Sequence, residues 1–245
     1  MPCSPADVAA LLPGAGLETA DALQDRVDAK YVVATAQLEA LVAALGGSHA
    51  VLEIGGLRAF AYETTYFDTP DLRAFREHVQ ERRRRFKCRI RTYADTGACF
   101  FEVKLKGPRG RTVKHRMPYE RRNDLTPEAL AFLREHVEHA PGATLRPALV
   151  ASCTRVTLLA KGERVTCDFG LAFRGPGGAA GRMDPGAVIV ETKSAGGAAA
   201  DRALRALGSR PAERCSKYCL GVALTHPGVR RNTLLPLLRR HFAAT

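Results

Sequence analysis

The sequence predicts an α+β domain, antiparallel β-structure with flanking helices, and three observations carry that expectation. Three consecutive runs in the middle of the chain alternate polar and apolar residues with period two. Short turn sequences join those runs, which suits a meander of neighbouring strands. Segments with helical spacing lie on both sides, and no internal repeat or clean linker divides the chain.

Taken in order, residues 1–25 are Ala/Leu-rich with Pro and Gly and read as an arm with a short helix. Residues 35–45 (TAQLEALVAAL) have helical spacing, with Thr35 as the expected N-cap. Residues 62–68 (YETTYFD) read as a strand, and Thr69-Pro70 opens a helix to about Val79. In 86–93, Phe86, Cys88 and Ile90 oppose Lys87, Arg89 and Arg91. In 99–106, Cys99, Phe101, Val103 and Leu105 oppose Phe100, Glu102, Lys104 and Lys106. In 112–117, Thr112, Lys114 and Arg116 share a face. Turns fall at Ala94-Asp95-Thr96-Gly97 and Gly107-Pro108-Arg109-Gly110. A helix is expected over 125–139 from Thr126-Pro127, strands over 148–159, 163–173 and 187–193, and a helix over 198–208. Residues 174–186 are Gly/Pro-rich and read as a mobile hairpin loop; no helix follows to make a phosphate-binding loop. The tail 232–242 (NTLLPLLRRHF) is amphipathic and basic. It is expected to dock on the domain or on a partner in preference to a membrane surface, because Pro236 shortens it.

Composition narrows the function classes. At 46% hydrophobic residues in 245, the chain can bury a sizeable core and an ordered domain is expected. No run of about 18 apolar residues would span a bilayer as a helix. The N-terminus lacks the basic start of a secretory signal, and the seven scattered cysteines are no disulfide framework, so a cytoplasmic setting is expected. Cys215 and Cys219 lack a second cysteine pair for zinc, His136 and His139 lack an HExxH pattern, and no GxSxG or Walker A sequence occurs. Thirty-seven Lys and Arg against 25 Asp and Glu give +12. That excess fits a polyanionic partner or simply a basic solvated surface. The run Glu81 to Arg85 (ERRRR) reads as a solvated turn or a charged rim, and no specific nucleic-acid recognition is expected.

The placement of charge is more telling. Arg and Lys recur at every second residue on strands about 4.8 Å apart, so like charges crowd unless a polyanion or interleaved carboxylates offset them. Such a face is either plainly solvated or a wall for phosphates, a task that suits the planar fork of Arg and the point charge of Lys. Asp28, Glu102, Asp168 and Glu191 lie in phase with the cations. They read as salt-bridge partners or as oxygen ligands for a hard divalent metal.

A resemblance now emerges. Arg26-Val27-Asp28-Ala29-Lys30-Tyr31 resembles the opening R-x-E-x-K-Y of VTC domains, and Tyr66-Phe67-Asp68-Thr69-Pro70 their Y-F-D-T segment. Lys87-Cys88-Arg89-Ile90-Arg91 is similar to their K-x-R-x-R strand and Phe101-Glu102-Val103-Lys104 to the E-x-K strand after it. Lys114, Arg116, Arg155, Val165 to Asp168, Val190-Glu191-Thr192-Lys193 and Ser216-Lys217-Tyr218 follow in order. The resemblance spans roughly residues 26–221. It implies a triphosphate-tunnel domain over 26–225, an eight-stranded antiparallel barrel lined with cations, between the arm at 1–25 and the tail at 226–245. It further implies a polyphosphate polymerase that moves the terminal phosphoryl group of ATP to polyphosphate, with Mn2+ or Mg2+. Lys30, Arg89, Arg91, Lys104, Lys106, Lys114, Arg116, Arg155, Lys193 and Lys217 would hold phosphates. Of these, Arg89, Arg91, Lys104 and Lys217 would serve the transfer itself, and Glu191 would be the metal ligand. A triphosphatase on the same scaffold, or an idle module binding polyphosphate or inositol polyphosphate, are the other readings. Two departures stand out: the wider superfamily opens E-x-E-x-K where this chain has Arg26 and Asp28, and Cys153 replaces an aromatic residue.

Overall fold

A computed structural model describes residues 3–16, 27–106, 112–120, 123–141, 145–194 and 198–244. Residues 1–2 and 17–25 of the expected N-terminal arm, Arg26 and the turn at 107–110 lie outside the described residues. The elements run α1 (Pro5–Ala10), β1 (Gly14–Ala15), β2 (Val27–Ala34), α2 (Thr35–Leu45), β3 (Ala50–Leu52), β4 (Ala59–Asp68) and α3 (Arg73–Val79). Next come β5 (Phe86–Tyr93), β6 (Cys99–Lys106), β7 (Thr112–Pro118), α4 (Pro127–His136), β8 (Arg146–Ala160) and β9 (Glu163–Arg174). The chain continues through β10 (Ala180–Met183), β11 (Ala187–Ser194), α5 (Ala199–Ala206), α6 (Lys217–Thr225), α7 (Leu235–His241) and β12 (Phe242–Ala244). The fold is α+β, as the sequence predicts. Antiparallel ladders join β2 to β11, β11 to β9, β3 to β8, β4 to β5, β5 to β6, β6 to β7 and β9 to β10, and the short β1–β3 pair is parallel. Among the described residues β7 pairs with β6 alone and β2 with β11 alone, so the described ladders do not include the closure of an eight-stranded barrel. No helix among them is long and apolar enough to cross a membrane.

The chain divides into two compact units. The first holds Met1–Ala61, Cys153–Leu171 and Met183–Cys215; the second holds Tyr62–Ser152, Ala172–Arg182 and Ser216–Thr245. In the first, Tyr31 and Val33 of β2, Val165 and Cys167 of β9, and Val188 and Val190 of β11 share one sheet face. Leu38, Leu41, Val42 and Leu45 of α2, spaced three and four apart, pack there with Ala200 and Leu204 of α5. In the second, Phe86, Cys88 and Ile90 of β5 and Phe101 and Val103 of β6 are buried with Ala129 and Leu133 of α4. Each fully buried side chain of this size contributes about 1.5–3 kcal/mol. Both units therefore keep one apolar face under helices and turn the other, polar face away from them.

The structure corrects several local expectations. The N-cap of α2 is Ala34, not Thr35, and the Gln37 side chain accepts the Ala34 N–H at 3.2 Å. The helix expected from Thr69-Pro70 starts only at Arg73. Thr69 Oγ1 accepts the Arg73 N–H, while the Asp68 carboxylate accepts those of Ala74 and Phe75. The segment 174–186 is not a bare loop: Pro176–Gly178 forms a 3-10 turn, and β10 pairs with β9. Helix α6, not anticipated, is buried along nearly its whole length. Its Gly221 lies so close to Leu149 and Phe173 that a Cβ there would sit 2.3 Å and 2.6 Å from their side chains. In the tail, Leu234 and Leu238 are buried, Arg231 donates to the Ala223 carbonyl of α6 at 2.6 Å, and Phe242 stacks on Phe173.

Asp68 is the junction of the second unit. Fully buried, it accepts the N–H groups of Thr69, Ala74 and Phe75 and the Tyr218 hydroxyl, tying β4, α3 and α6 together. Asp68→Asn replaces charged acceptors with a group that must turn donors toward donors. It should lower stability by about 1.5–3 kcal/mol, the worth of a hydrogen bond to a charged group, in a urea titration of the whole chain.

Candidate functional site

In the second unit, strand register sets the site. Lys87 stands opposite Lys104, which stands opposite Lys114; Arg89 stands opposite Glu102, which stands opposite Arg116; Arg91 faces Phe100. With Lys106 one pleat further along β6, six of the expected phosphate ligands (Arg89, Arg91, Lys104, Lys106, Lys114 and Arg116) share one face with Lys87. Glu102 is the carboxylate among them. Arg89 and Lys104 fall on the same side, as the alternation requires.

Glu102 is 1% exposed and receives Arg89 Nε at 2.7 Å, Arg89 Nη2 at 2.5 Å and Lys114 Nζ at 3.4 Å. Burial pushes its carboxyl upward, but Arg89, Arg91, Lys114 and Lys104 outweigh that and hold it well below the usual carboxylate range. The Tyr66 phenol reports the charge left over. It is buried, which alone would raise it, yet Arg89, Arg91 and Lys87 pull it below the ordinary tyrosine value. Its hydroxyl lies 3.3 Å from Arg89 Nη1, and its ring lies 5.0 Å from that of Tyr218. Ser216 caps α6 and accepts Lys87 Nζ at 2.9 Å, which brings Lys217, the first residue of that helix, to the Lys87 end of the face.

The first unit holds the remaining expected residues. Glu191 stands opposite Lys30 on β2 and Thr166 on β9, and Lys193 stands opposite Asp28. Lys193 Nζ lies 2.5 Å from Glu191 Oε1 and 4.0 Å from Asp28 Oδ2. Burial raises the Glu191 carboxyl, and Lys193, Lys30 and Arg155 outweigh it, so it stays ionised well below its usual range. Arg155 donates to both oxygens of Asp168, at 2.6 Å and 2.8 Å, so these two residues, read separately from the sequence, form a bidentate pair. Thr166 Oγ1 is buried and has no hydrogen-bond partner. Nothing in the residue pattern singles it out.

No cluster of three His, Cys, Asp or Glu converges among the described residues. The oxygen donors nonetheless fit a hard divalent cation that takes one or two carboxylates and draws its other oxygens from phosphate. Glu191 and Asp28 flank Lys193, and the orphaned Thr166 hydroxyl lies on the Glu191 face.

An antiparallel α+β protein with a cation-rich sheet face is the class these faces define. The sequence pattern of the VTC domain matches residues 25–226, and the chain belongs to that family. None of the curated proteins compared matches the sequence. Among solved structures, the PH1819 protein of Pyrococcus horikoshii is similar at 16% identity, covering 80% of this chain and 97% of its own, with a TM-score of 0.46. A Hippeastrum protein, HpAC1, described as having a dominant triphosphatase activity, is similar at 12% identity over 81% and 95%, with a TM-score of 0.45. The Pct1 RNA triphosphatase of S. pombe is similar at 13% identity over 87% and 76%, with a TM-score of 0.29.

Two outcomes follow from these charges. Glu102→Gln strands the buried Arg89 guanidinium and should cost about 3–5 kcal/mol in denaturant unfolding. Because the folded carboxyl is depressed, its contribution is whole above about pH 4.5 and fades as pH falls toward the folded value; this part of the acid loss should vanish in the variant. The chain has no tryptophan, so tyrosine ionisation is readable by ultraviolet titration. The difference between wild type and Tyr66→Phe should titrate below the ordinary tyrosine value and move upward when tripolyphosphate is added.

Proposed function

We propose that this protein is a polyphosphate polymerase, transferring the terminal phosphoryl group of ATP to a polyphosphate chain. The observation that carries the reading is the face on β5, β6 and β7, where seven cations (Lys87, Arg89, Arg91, Lys104, Lys106, Lys114 and Arg116) are set against Glu102 in a chain of the VTC domain family. In the transfer, the β–γ anhydride of ATP breaks and ADP leaves with the bonding electrons. A terminal oxygen of the polyphosphate forms the new anhydride. Such a step needs positioning and charge stabilisation more than covalent help from the protein.

The residues divide the work by chemistry. Arg91, Lys104, Lys106, Lys114 and Arg116 hold phosphate oxygens, Lys30 and Lys217 add charge, and Arg89 keeps its geometry through Glu102. Arg155 and Lys193 bind phosphate with the charge that Asp168 and Glu191 leave them. Glu191 would hold the Mn2+ or Mg2+, which supplies further charge neutralisation at the phosphoryl oxygens. Lysine at position 193, paired to Glu191, favours one principal metal carboxylate over the two-metal arrangement of a triphosphatase. The scatter of its seven cysteines along the sequence suits the reducing cytoplasm in which this reading places it.

Incubation with ATP and Mn2+, followed by phosphorus NMR, should show internal phosphoanhydride signals. ADP with free phosphate alone would make the protein a triphosphatase, and tight tripolyphosphate binding without turnover would make it a binding module. Glu191→Gln should abolish turnover and leave tripolyphosphate binding largely intact. Arg91→Ala is the cleaner cation probe, because Arg89→Ala would take from the buried Glu102 its nearest partner. It should weaken tripolyphosphate binding by about 1.5–3 kcal/mol in calorimetry, and wild-type affinity should fall with added salt.

A further inference from the structure

The cationic face is graded from one end to the other. Lys87, Lys104 and Lys114 form one row, Arg89 and Arg116 flank Glu102 in the next, and Arg91 leads the third beside Phe100. Beyond Arg91 the face turns aromatic, with Tyr93 directly opposite Tyr62 of β4. Ring centroids lie 4.8 Å apart for Tyr62 and Tyr93 and 6.0 Å apart for Tyr93 and Phe100. The Arg91 guanidinium lies 5.4 Å from the centre of the Tyr62 ring, and that of Arg116 lies 4.8 Å from the centre of the Phe100 ring.

These rings differ from Phe86 of β5 and Phe101 of β6. Phe86 and Phe101 point to the opposite face and are buried under α4. Tyr62, Tyr93 and Phe100 remain only half-buried, on the face that carries the charges. Core packing therefore does not account for them. A planar ring system laid on such a surface gains stacking whatever its hydrogen-bonding edge, because every base has a π-face. At about 3.4 Å per residue, Tyr93 to Lys87 spans roughly 20 Å of strand. That is room for a base, a sugar and phosphates laid in line.

We infer that Tyr62, Tyr93 and Phe100 form a platform for the base of a nucleoside triphosphate whose phosphates run along the Arg91, Arg89 and Lys104 rows. This rests on the phosphate-holding reading of the same face. It adds a direction: the base lies at the tyrosine end and the terminal phosphate points toward Lys87, Lys104 and Ser216-Lys217. It also adds a specificity, because the site distinguishes a nucleotide from a bare phosphate chain but not strongly one base from another.

Calorimetric titration of ATP and of tripolyphosphate at one ionic strength separates the two parts. Tyr93→Leu and Phe100→Leu should each weaken ATP binding by about tenfold and alter tripolyphosphate binding by less than about twofold, since tripolyphosphate carries no base to stack. Tyr93→Phe keeps the ring and should keep ATP affinity. Retained tripolyphosphate binding shows that each variant still folds. If the wild type binds both ligands and the leucine variants weaken both equally or neither, the platform is wrong while the phosphate wall stands. If the wild type binds neither ligand, the phosphate reading fails and takes the platform with it.

Discussion

Repulsion between like charges on neighbouring strands is the constraint around which the second unit is arranged. Lys87, Lys104 and Lys114 stand in one row across three strands, and Arg89 and Arg116 occupy the next. Strands about 4.8 Å apart leave such side chains no room to separate. Two features keep the sheet together. On its reverse side, Phe86, Ile90, Phe101 and Val103 are held under α4 by hydrophobic burial. On the charged side, Glu102 is buried in the middle and neutralises Arg89 at close range while also reaching Lys114. Neither feature cancels the field, since Tyr66 is pulled below its ordinary value despite being buried. A polyanion laid on the face would lower the remaining repulsion, so in the proposed function the charges that oppose one another across the sheet would also drive binding.

The first unit solves the electrostatic problem differently. Acids and bases alternate across its ladders: Glu191 faces Lys30, Lys193 faces Asp28, and Asp168 is clasped by Arg155. These three acids are matched by three bases. In the proposed reaction this face is the better place for a cation accompanied by phosphate, since Glu191 and Asp28 can each trade a lysine contact for a metal contact.

What could be read from the sequence follows from whether an element has two unlike faces. Strands β5 and β6 did, and the alternation of 86–106 placed every cation on the correct side. Helix α2 did as well. Helix α6 did not: it is buried almost all round, has Gly221 where two side chains press close, and leaves no polar stripe to mark its period. Strand β10 is too short, and its sequence too rich in glycine, to show a pattern. The start of α3 is displaced from Thr69-Pro70 because Asp68 and Thr69 accept the first helical N–H groups, a tertiary role invisible to local preference. Among site residues, cations were legible through phase. The pairings that commit Arg155 to Asp168 and Lys193 to Glu191 were not, because alternation shows which face a side chain takes and not which neighbour on that face it pairs with. The aromatic end was within reach of the same reasoning: Tyr93 and Phe100 are in phase with Arg91 and Glu102, a placement unusual for apolar rings.

The order of cation types along the face bears on how a growing chain could be handled. Arginines occupy the aromatic end and lysines the other, and the guanidinium groups of Arg91 and Arg116 lie over the Tyr62 and Phe100 rings. A guanidinium presents its donors in a rigid planar fork, so Arg91 and Arg89, the latter fixed by Glu102 and Tyr66, define phosphate positions closely. An ammonium on a flexible stem is a movable point charge, and Lys87, Lys104, Lys106 and Lys114 can follow phosphates whose positions change. A donor nucleotide has one length and gains from fixed seats. A polyphosphate acceptor presents a new terminus after every transfer and needs charge without fixed geometry. In the proposed reaction, the arginine rows therefore suit the donor and the lysine rows suit the chain that receives its phosphoryl group.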